Sequence, residues 1–192
     1  MAITTWPRRA CEGSLRALGV ERIDLYQFHA PDPRVPFEES VGVFAELLWE
    51  GKVAAVGLSN VSLEQIRAAG AVVPITSVQN RYSPWDRSSE ETGIIRYCDE
   101  NRITFLPYSP VGGRRKVQLL RENAALQRIG QRHGATPEEL VLAWVLGASP
   151  SIVAIPGATK PETIESSVRA ASIHLDGETR AELEAAFRSL PD

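Results

Sequence analysis

The stretch Ile23 to Asp32, IDLYQFHAPD, decides how the rest of this 192-residue chain is read. An apolar run ends abruptly in a histidine and a proline-bounded loop, the pattern of a buried strand that delivers one imidazole to a site. Four later stretches repeat the arrangement: VAAVGLSN (Val53 to Asn60), ITSVQN (Ile75 to Asn80), ITFLPYSP (Ile103 to Pro110) and SIVAIPGATK (Ser151 to Lys160). Five strands that end in side chains able to hydrogen-bond imply one shared rim.

Between these runs the hydrophobic period changes to that of helices. Cys11 to Leu18 fits a short helix closed by Gly19. Phe37 to Trp49 puts Phe37, Val41, Phe44, Leu47 and Leu48 on one face, with Gly51 at its end. Ser62 to Ala69 carries the capping-box pattern Ser62-x-x-Gln65. Ser89 to Glu100 reads as one helix with Ile94, Ile95 and Cys98 inward. Arg121 to Arg132 and Pro137 to Leu146 form two helical stretches split by His133-Gly134, and helices Pro161 to Ala171 and Glu178 to Phe187 finish the chain.

Composition narrows the class of protein. With 43% hydrophobic residues the chain can bury a core, and its length suits one compact domain at roughly 150 residues per domain. A net charge of -3, from 21 basic and 24 acidic residues, argues against nucleic acid as a partner; the one dense basic cluster is Arg114, Arg115, Lys116. Cys11 and Cys98 have no CxxC spacing and no surrounding His or Cys ligands, so they read as reduced thiols, with no metal site expected. No apolar run of signal-peptide or membrane-spanning length is present, and a cytoplasmic protein with no membrane partner is the expectation.

Apolar strands separated by helices belong to parallel sheets covered on both faces. An open doubly wound sheet that binds a dinucleotide needs GxGxxG after its first strand, and none is found. A (β/α)8 barrel places its site at the C-terminal ends of many strands, matching the polar endings at His29, Ser59-Asn60, Gln79-Asn80, Tyr108-Ser109 and Gly157 to Lys160. A complete barrel takes eight strands and ~250 residues, and about five strands are legible here.

The segments SLRALGVERIDLYQFHAPD, GKVAAVGLSN, VQNRYSPW, FLPYSPVGG, GATPEELVLAWVL and IPGATKPETIE follow one another in the order and spacing of the aldo-keto reductases, and the chain resembles that family from about Ser14 to Phe187. The resemblance implies an α/β fold, a partial (β/α)8 TIM barrel with about five of its eight parallel strands, forming a single incomplete domain over residues 1–192. It also implies hydride transfer from NADPH, with NAD as the alternative cofactor, to a small-molecule aldehyde or ketone. The family uses an Asp, Tyr, Lys and His tetrad, and only the His has a counterpart, at His29. The chain matches from the helix before the family's fourth strand, so an N-terminally truncated, weakly active or inactive reductase is expected. An incomplete barrel leaves two unpaired strand edges, and self-association through them is a further expectation.

Other roles also follow from the resemblance. Ser59, Asn60 and Gln79 would hydrogen-bond the nicotinamide carboxamide, and Tyr108 would stack on the ring. Ser109, Pro110, Val111 and Gly112 would line the pyrophosphate, where glycine lets backbone amides approach phosphate. Gly157, Ala158, Thr159 and Lys160 precede a helix opened by Pro161, a setting that favours phosphate, with Lys160 placed for the adenosine 2′-phosphate. Simpler roles compete at each position. His29 suits a buried imidazole bonded to backbone, Ser59 and Asn60 a helix cap, Gln79 a turn and Tyr108 core packing. The helix after Lys160 lacks the family's Arg and Glu-Asn pair, carrying Thr163, Ser166 and Ser167 instead, and Arg169 reads as a solvated helix-face residue. Trp85 could line a substrate pocket, whereas Trp49 and Trp144 read as core. A non-catalytic nucleotide-binding or interaction module of the same fold is the alternative function.

Overall fold

A computed structural model of the chain describes residues 5–191. Helix α1 (Thr5–Leu18) leads into β1 (Tyr26–Phe28), α2 (Phe37–Trp49), β2 (Val56–Ser59), α3 (Leu63–Gly70) and β3 (Ile75–Gln79). Two short helices, α4 (Ser88–Glu91) and α5 (Ile94–Glu100), precede β4 (Thr104–Phe105). Helices α6 (Arg114–Glu122), α7 (Ala124–His133), α8 (Pro137–Leu146), α9 (Pro161–Ala170) and α10 (Gly177–Phe187) complete the order.

All four strands are parallel, and their spatial order β1-β2-β3-β4 is the order of the chain. A doubly wound sheet would reverse direction at a switch point. A sheet that always steps the same way, with right-handed crossovers, keeps its helices on one face and curves as an arc of a barrel. Strand alternation then separates two environments. Tyr26 and Phe28 point to the helical layer, where both rings pack on Phe44 at centroid separations of 5.4 and 5.3 Å. Gln27 points the other way, and its row across the sheet is Gln27, Gly57, Ser77, Thr104.

The fifth expected strand is present only as bridges. Phe105 pairs with Ile152 and Tyr108 with Ile155, both parallel. Backbone bonds run from Phe105 N to Ser151 O, Val153 N to Phe105 O and Ile155 N to Pro107 O. The alternation of the ladder calls for a donor at residue 107, and proline has none, so the pairing breaks there and β4 stays two residues long. Both outer edges carry exposed apolar side chains: Leu25, just before β1, on one, and Val153 and Ile155 on the other.

Several expected boundaries shift, each for a local reason. The helix expected over Ser89 to Glu100 is two helices, because Gly93 takes a left-handed φ of 78° between them. The helix expected from Arg121 ends at Glu122, where Asn123 accepts from the amides of Ala125 and Leu126 and starts α7; Arg114 to Lys116 form the first turn of α6. Helix α1 starts six residues before the expected Cys11, at Thr5, and ends at Leu18 as expected, before Gly19. Trp49 is not core: it is 94% exposed at the last turn of α2. Trp144 is fully buried, stacked on Tyr82 and edge-on to Phe187, with its indole N–H donated to Glu184 Oε1. Cys11 and Cys98 are both buried and free, and burial pushes the Cys98 thiol up to about 12. The capping box of Ser62 and Gln65 forms as expected.

Arg169 is exposed on the face of α9, as expected, but it is also paired. Its guanidinium meets the buried carboxylate of Glu139, with Nε at 3.0 Å from Oε1. Ser166 donates to the same oxygen at 2.8 Å, and the Thr136 amide donates to Oε2 at 2.9 Å. Burial alone would raise the Glu139 pKa, yet these donors together hold it below the usual carboxylate range. A carboxyl depressed in the folded state stabilises above its unfolded pKa and loses that contribution as pH falls through the folded value. Urea unfolding followed from pH 7 downward is therefore expected to show stability dropping once pH passes below ~4.3. Glu139→Gln should flatten that part of the profile while costing about 1–3 kcal/mol at pH 7.

Candidate functional site

The C-terminal ends of the strands meet at one asparagine. Asn60 follows β2 directly and holds a left-handed φ of 57°, a conformation asparagine tolerates better than other non-glycine residues. Its side chain consequently turns across the rim instead of continuing the strand. Nδ2 donates to the carbonyl of His29 at 2.9 Å and to Ser59 Oγ at 3.2 Å. Oδ1 accepts from the Tyr108 hydroxyl at 2.8 Å. Ser59, fully buried, donates to the Gln79 carbonyl at 2.7 Å, and Asn60 N donates to the same carbonyl at 3.1 Å.

Five of the expected residues, His29, Ser59, Asn60, Gln79 and Tyr108, are thus one hydrogen-bonded cluster drawn from four strand ends. The simpler roles fail at several positions. His29 is exposed rather than buried, and among the described residues its ring makes no hydrogen bond. The helix cap after β2 is Ser62, not Ser59 or Asn60. The cap-like work next to them falls to Asn80, whose amide exchanges two hydrogen bonds with the Val61 backbone at 3.1 and 2.7 Å.

The inner row of the sheet supports Gln79 from below. Gln27 Nε2 donates to Gln79 Oε1 at 3.4 Å, and Ser77 Oγ lies 3.4 Å from Gln27 Oε1. The Gln27 side chain reaches them by crossing Gly57, where an added Cβ would stand 1.8 Å from Gln27 Oε1 and 2.3 Å from Ser77 Oγ. Gln79 Nε2 remains as a donor with no protein acceptor among the described residues. Neither Gln27 nor Gly57 stood out in the sequence; the signal was the period-two spacing that puts Gln27 on the same strand face as His29.

The loop beyond Tyr108 turns sharply. Ser109 has a φ of 51°, Gly112 a φ of 75°, and Gly112 N bonds back to Ser109 O at 2.8 Å. Pro110 is buried and Val111 half-buried. A side chain at Gly112 would collide with Lys116 and Trp85 at 2.6 and 2.7 Å. Trp85 packs there, with Lys116 Nζ 5.1 Å from its ring centre and its indole N–H donated to Pro191 O at 2.9 Å. Gly157, Ala158, Thr159 and Lys160 are all exposed ahead of α9, whose first amides have no side-chain cap.

Tyr26, Tyr82 and Asp32 are unsuited to donate a proton at this rim. Tyr26 is stacked on Phe44 in the helical layer, with burial raising its pKa. Tyr82 is fully buried beside Glu90, and burial raises it further still. Asp32, three residues past His29, is held at about 2 by the Arg34 side chain and amide. Among the described residues no group of three or more His, Cys, Asp or Glu is arranged to hold a metal ion, and no helix is long and apolar enough to cross a membrane.

The model of the aldo/keto reductase family matches residues 3–188. The chain belongs to the aldo/keto reductase family. It is 36% identical to a probable aldo-keto reductase of Glycine max, over 96% of this chain and 60% of that protein. It is also 36% identical to an aldo-keto reductase of Strobilurus tenacellus, over 89% of this chain and 60% of that one. An aldo/keto reductase from Klebsiella pneumoniae, crystallised with NADP and acetate, superposes with a TM-score of 0.83 at 28% identity, covering 94% of this chain and 64% of that one. The chain therefore spans about 60% of the length of the curated relatives it matches. Its open parallel sheet is an arc of the (β/α)8 barrel of this aldo/keto reductase fold.

The three-way bond of Asn60 gives a direct test. Asn60→Asp keeps an acceptor for Tyr108 but removes both donors, and a loss of about 1–3 kcal/mol in urea unfolding is expected. Asn60→Gly, which keeps the left-handed backbone without the side chain, should lose a similar amount; unchanged stability in both would show that the strand ends hold together without it.

Proposed function

We propose that this chain carries the nicotinamide-binding side of an NAD(P)H-dependent carbonyl reductase, with NADP(H) as the preferred cofactor. The observation that carries the reading is the hydrogen-bonded rim itself, which presents one unpartnered amide donor, Gln79 Nε2, beside an aromatic ring, Tyr108, and an exposed imidazole, His29.

The donor set suits a planar carboxamide. Gln79 Oε1 is occupied by Gln27, so its Nε2 donates to the carboxamide oxygen. Asn60 Oδ1 accepts from Tyr108 and keeps a second lone pair for the carboxamide N–H. Tyr108 offers a flat face for the ring, and its position is fixed by Asn60. The left-handed Ser109 and Gly112 bend the following loop so that its amides can face a pyrophosphate. Lys160, exposed at the start of α9, is the cation for the 2′-phosphate, aided by uncapped helix amides.

Bound NADPH would supply a hydride to the carbonyl carbon of an aldehyde or ketone. His29 would donate a hydrogen bond that orients the carbonyl and stabilises the charge developing on its oxygen. His29 is the one tetrad position that the family resemblance finds in these 192 residues, and a positioned general acid contributes ~10²- to 10⁴-fold. Turnover by this chain is accordingly weak or nil. The same observation favours a second reading, a nucleotide-binding module without catalysis.

Titration of the chain with NADPH, read by nicotinamide fluorescence, is expected to saturate. Gln79→Leu and Tyr108→Ala should each weaken binding roughly three- to tenfold, and Lys160→Ala should weaken NADPH but not NADH. A response that never saturates would remove the cofactor assignment. Saturable binding with no carbonyl-dependent NADPH oxidation would select the non-catalytic reading.

A further inference from the structure

Arg81 packs against the Tyr108 ring of the proposed nicotinamide site. Arg81 and Tyr108 are opposite one another in a parallel bridge just beyond the ends of β3 and β4. Strand alternation puts both on the inner face with Gln79. The guanidinium carbon lies 5.5 Å from the centre of the Tyr108 ring, a cation–π distance. The Arg81 backbone is anchored as well, its carbonyl accepting from Ser89 Oγ at 3.1 Å. Among the described residues Arg81 has no acidic partner within ion-pair distance, whereas Arg87, six residues on, is paired with both Glu90 and Glu184.

From this placement we infer that Arg81 makes the site discriminate between the two redox forms of its cofactor, favouring NADPH over NADP⁺. The inference rests on the reading of Tyr108 as the platform for the nicotinamide ring. The two forms carry the same phosphates and differ by one hydride, so the oxidised ring bears one more positive charge than the reduced ring. A guanidinium packed on the platform repels that added charge and leaves the neutral ring unaffected. A ring stacked on Tyr108 opposite the guanidinium lies about 9 Å from it, and like charges at that distance give a preference of roughly two- to twentyfold for effective dielectrics between ~80 and ~20. The biochemical consequence is release of the oxidised cofactor after hydride transfer and a bias toward carbonyl reduction over alcohol oxidation.

The test compares dissociation constants of NADPH, by fluorescence, and NADP⁺, by competition against NADPH, for the intact chain, Arg81→Gln and Arg81→Lys. Arg81 is exposed, and circular dichroism verifies that the variants keep the fold. The wild-type chain should prefer NADPH, Arg81→Gln should reduce that preference two- to twentyfold, and Arg81→Lys should keep most of it. Equal weakening of both forms in Arg81→Gln would identify a phosphate contact and overturn the inference, as would an unchanged ratio. Absence of saturable NADPH binding by the wild-type chain would instead refute the cofactor reading on which it rests.

Discussion

The side chain of Asn60 is the tie on which the rim depends. Parallel strands need no contact at their C-terminal ends beyond the ladder, and here the ladder is thin: β1 has three residues and β4 two. Asn60 adds bonds to the carbonyl after β1, to its own neighbour on β2, and to the hydroxyl beyond β4. A left-handed backbone is what aims the amide sideways, and asparagine is among the few residues that hold it at low cost. The residue combines a backbone conformation, two donors and an acceptor that no single substitution reproduces.

That tie has a chemical consequence. It uses Ser59 Oγ and Asn60 Nδ2 within the protein and leaves Gln79 Nε2, one lone pair of Asn60 Oδ1 and the exposed His29 without a partner among the described residues. The support beneath Gln79 extends the same logic into the sheet, where Gly57 exists as glycine because Gln27 lies across it. The inner face of this arc is consequently polar along Gln27 and Ser77, unlike the branched apolar layers that usually fill a (β/α)8 barrel. In the proposed reading, a rim built in this way would hold and orient a carboxamide.

Much of this arrangement was legible in the residues. The five apolar runs with polar endings gave the parallel arc and its rim, and Ser62-x-x-Gln65 and Phe37 to Trp49 gave helices at the expected places. Trp49 is aromatic but not core, because it lies about 140° from Phe44 on a helix of 100° per residue. The break at Gly93 and the cap at Asn123 were hidden within stretches of otherwise good helix formers. The fifth strand fell short because Pro107, on its neighbour, cannot donate. Gln27, Gly57 and Arg81 carry no mark of their own in the sequence, because their importance lies in cross-strand register, which one strand read alone does not contain.

Side-chain amide NMR on the ¹⁵N-labelled chain tests the central claim most directly. The Asn60 Nδ2 protons should exchange with water far more slowly than those of an exposed asparagine, and the Gln79 Nε2 resonances should shift saturably as NADPH is added. Water-limited exchange at Asn60 in the free chain would contradict the account, because the strand ends would then be joined by something other than this side chain.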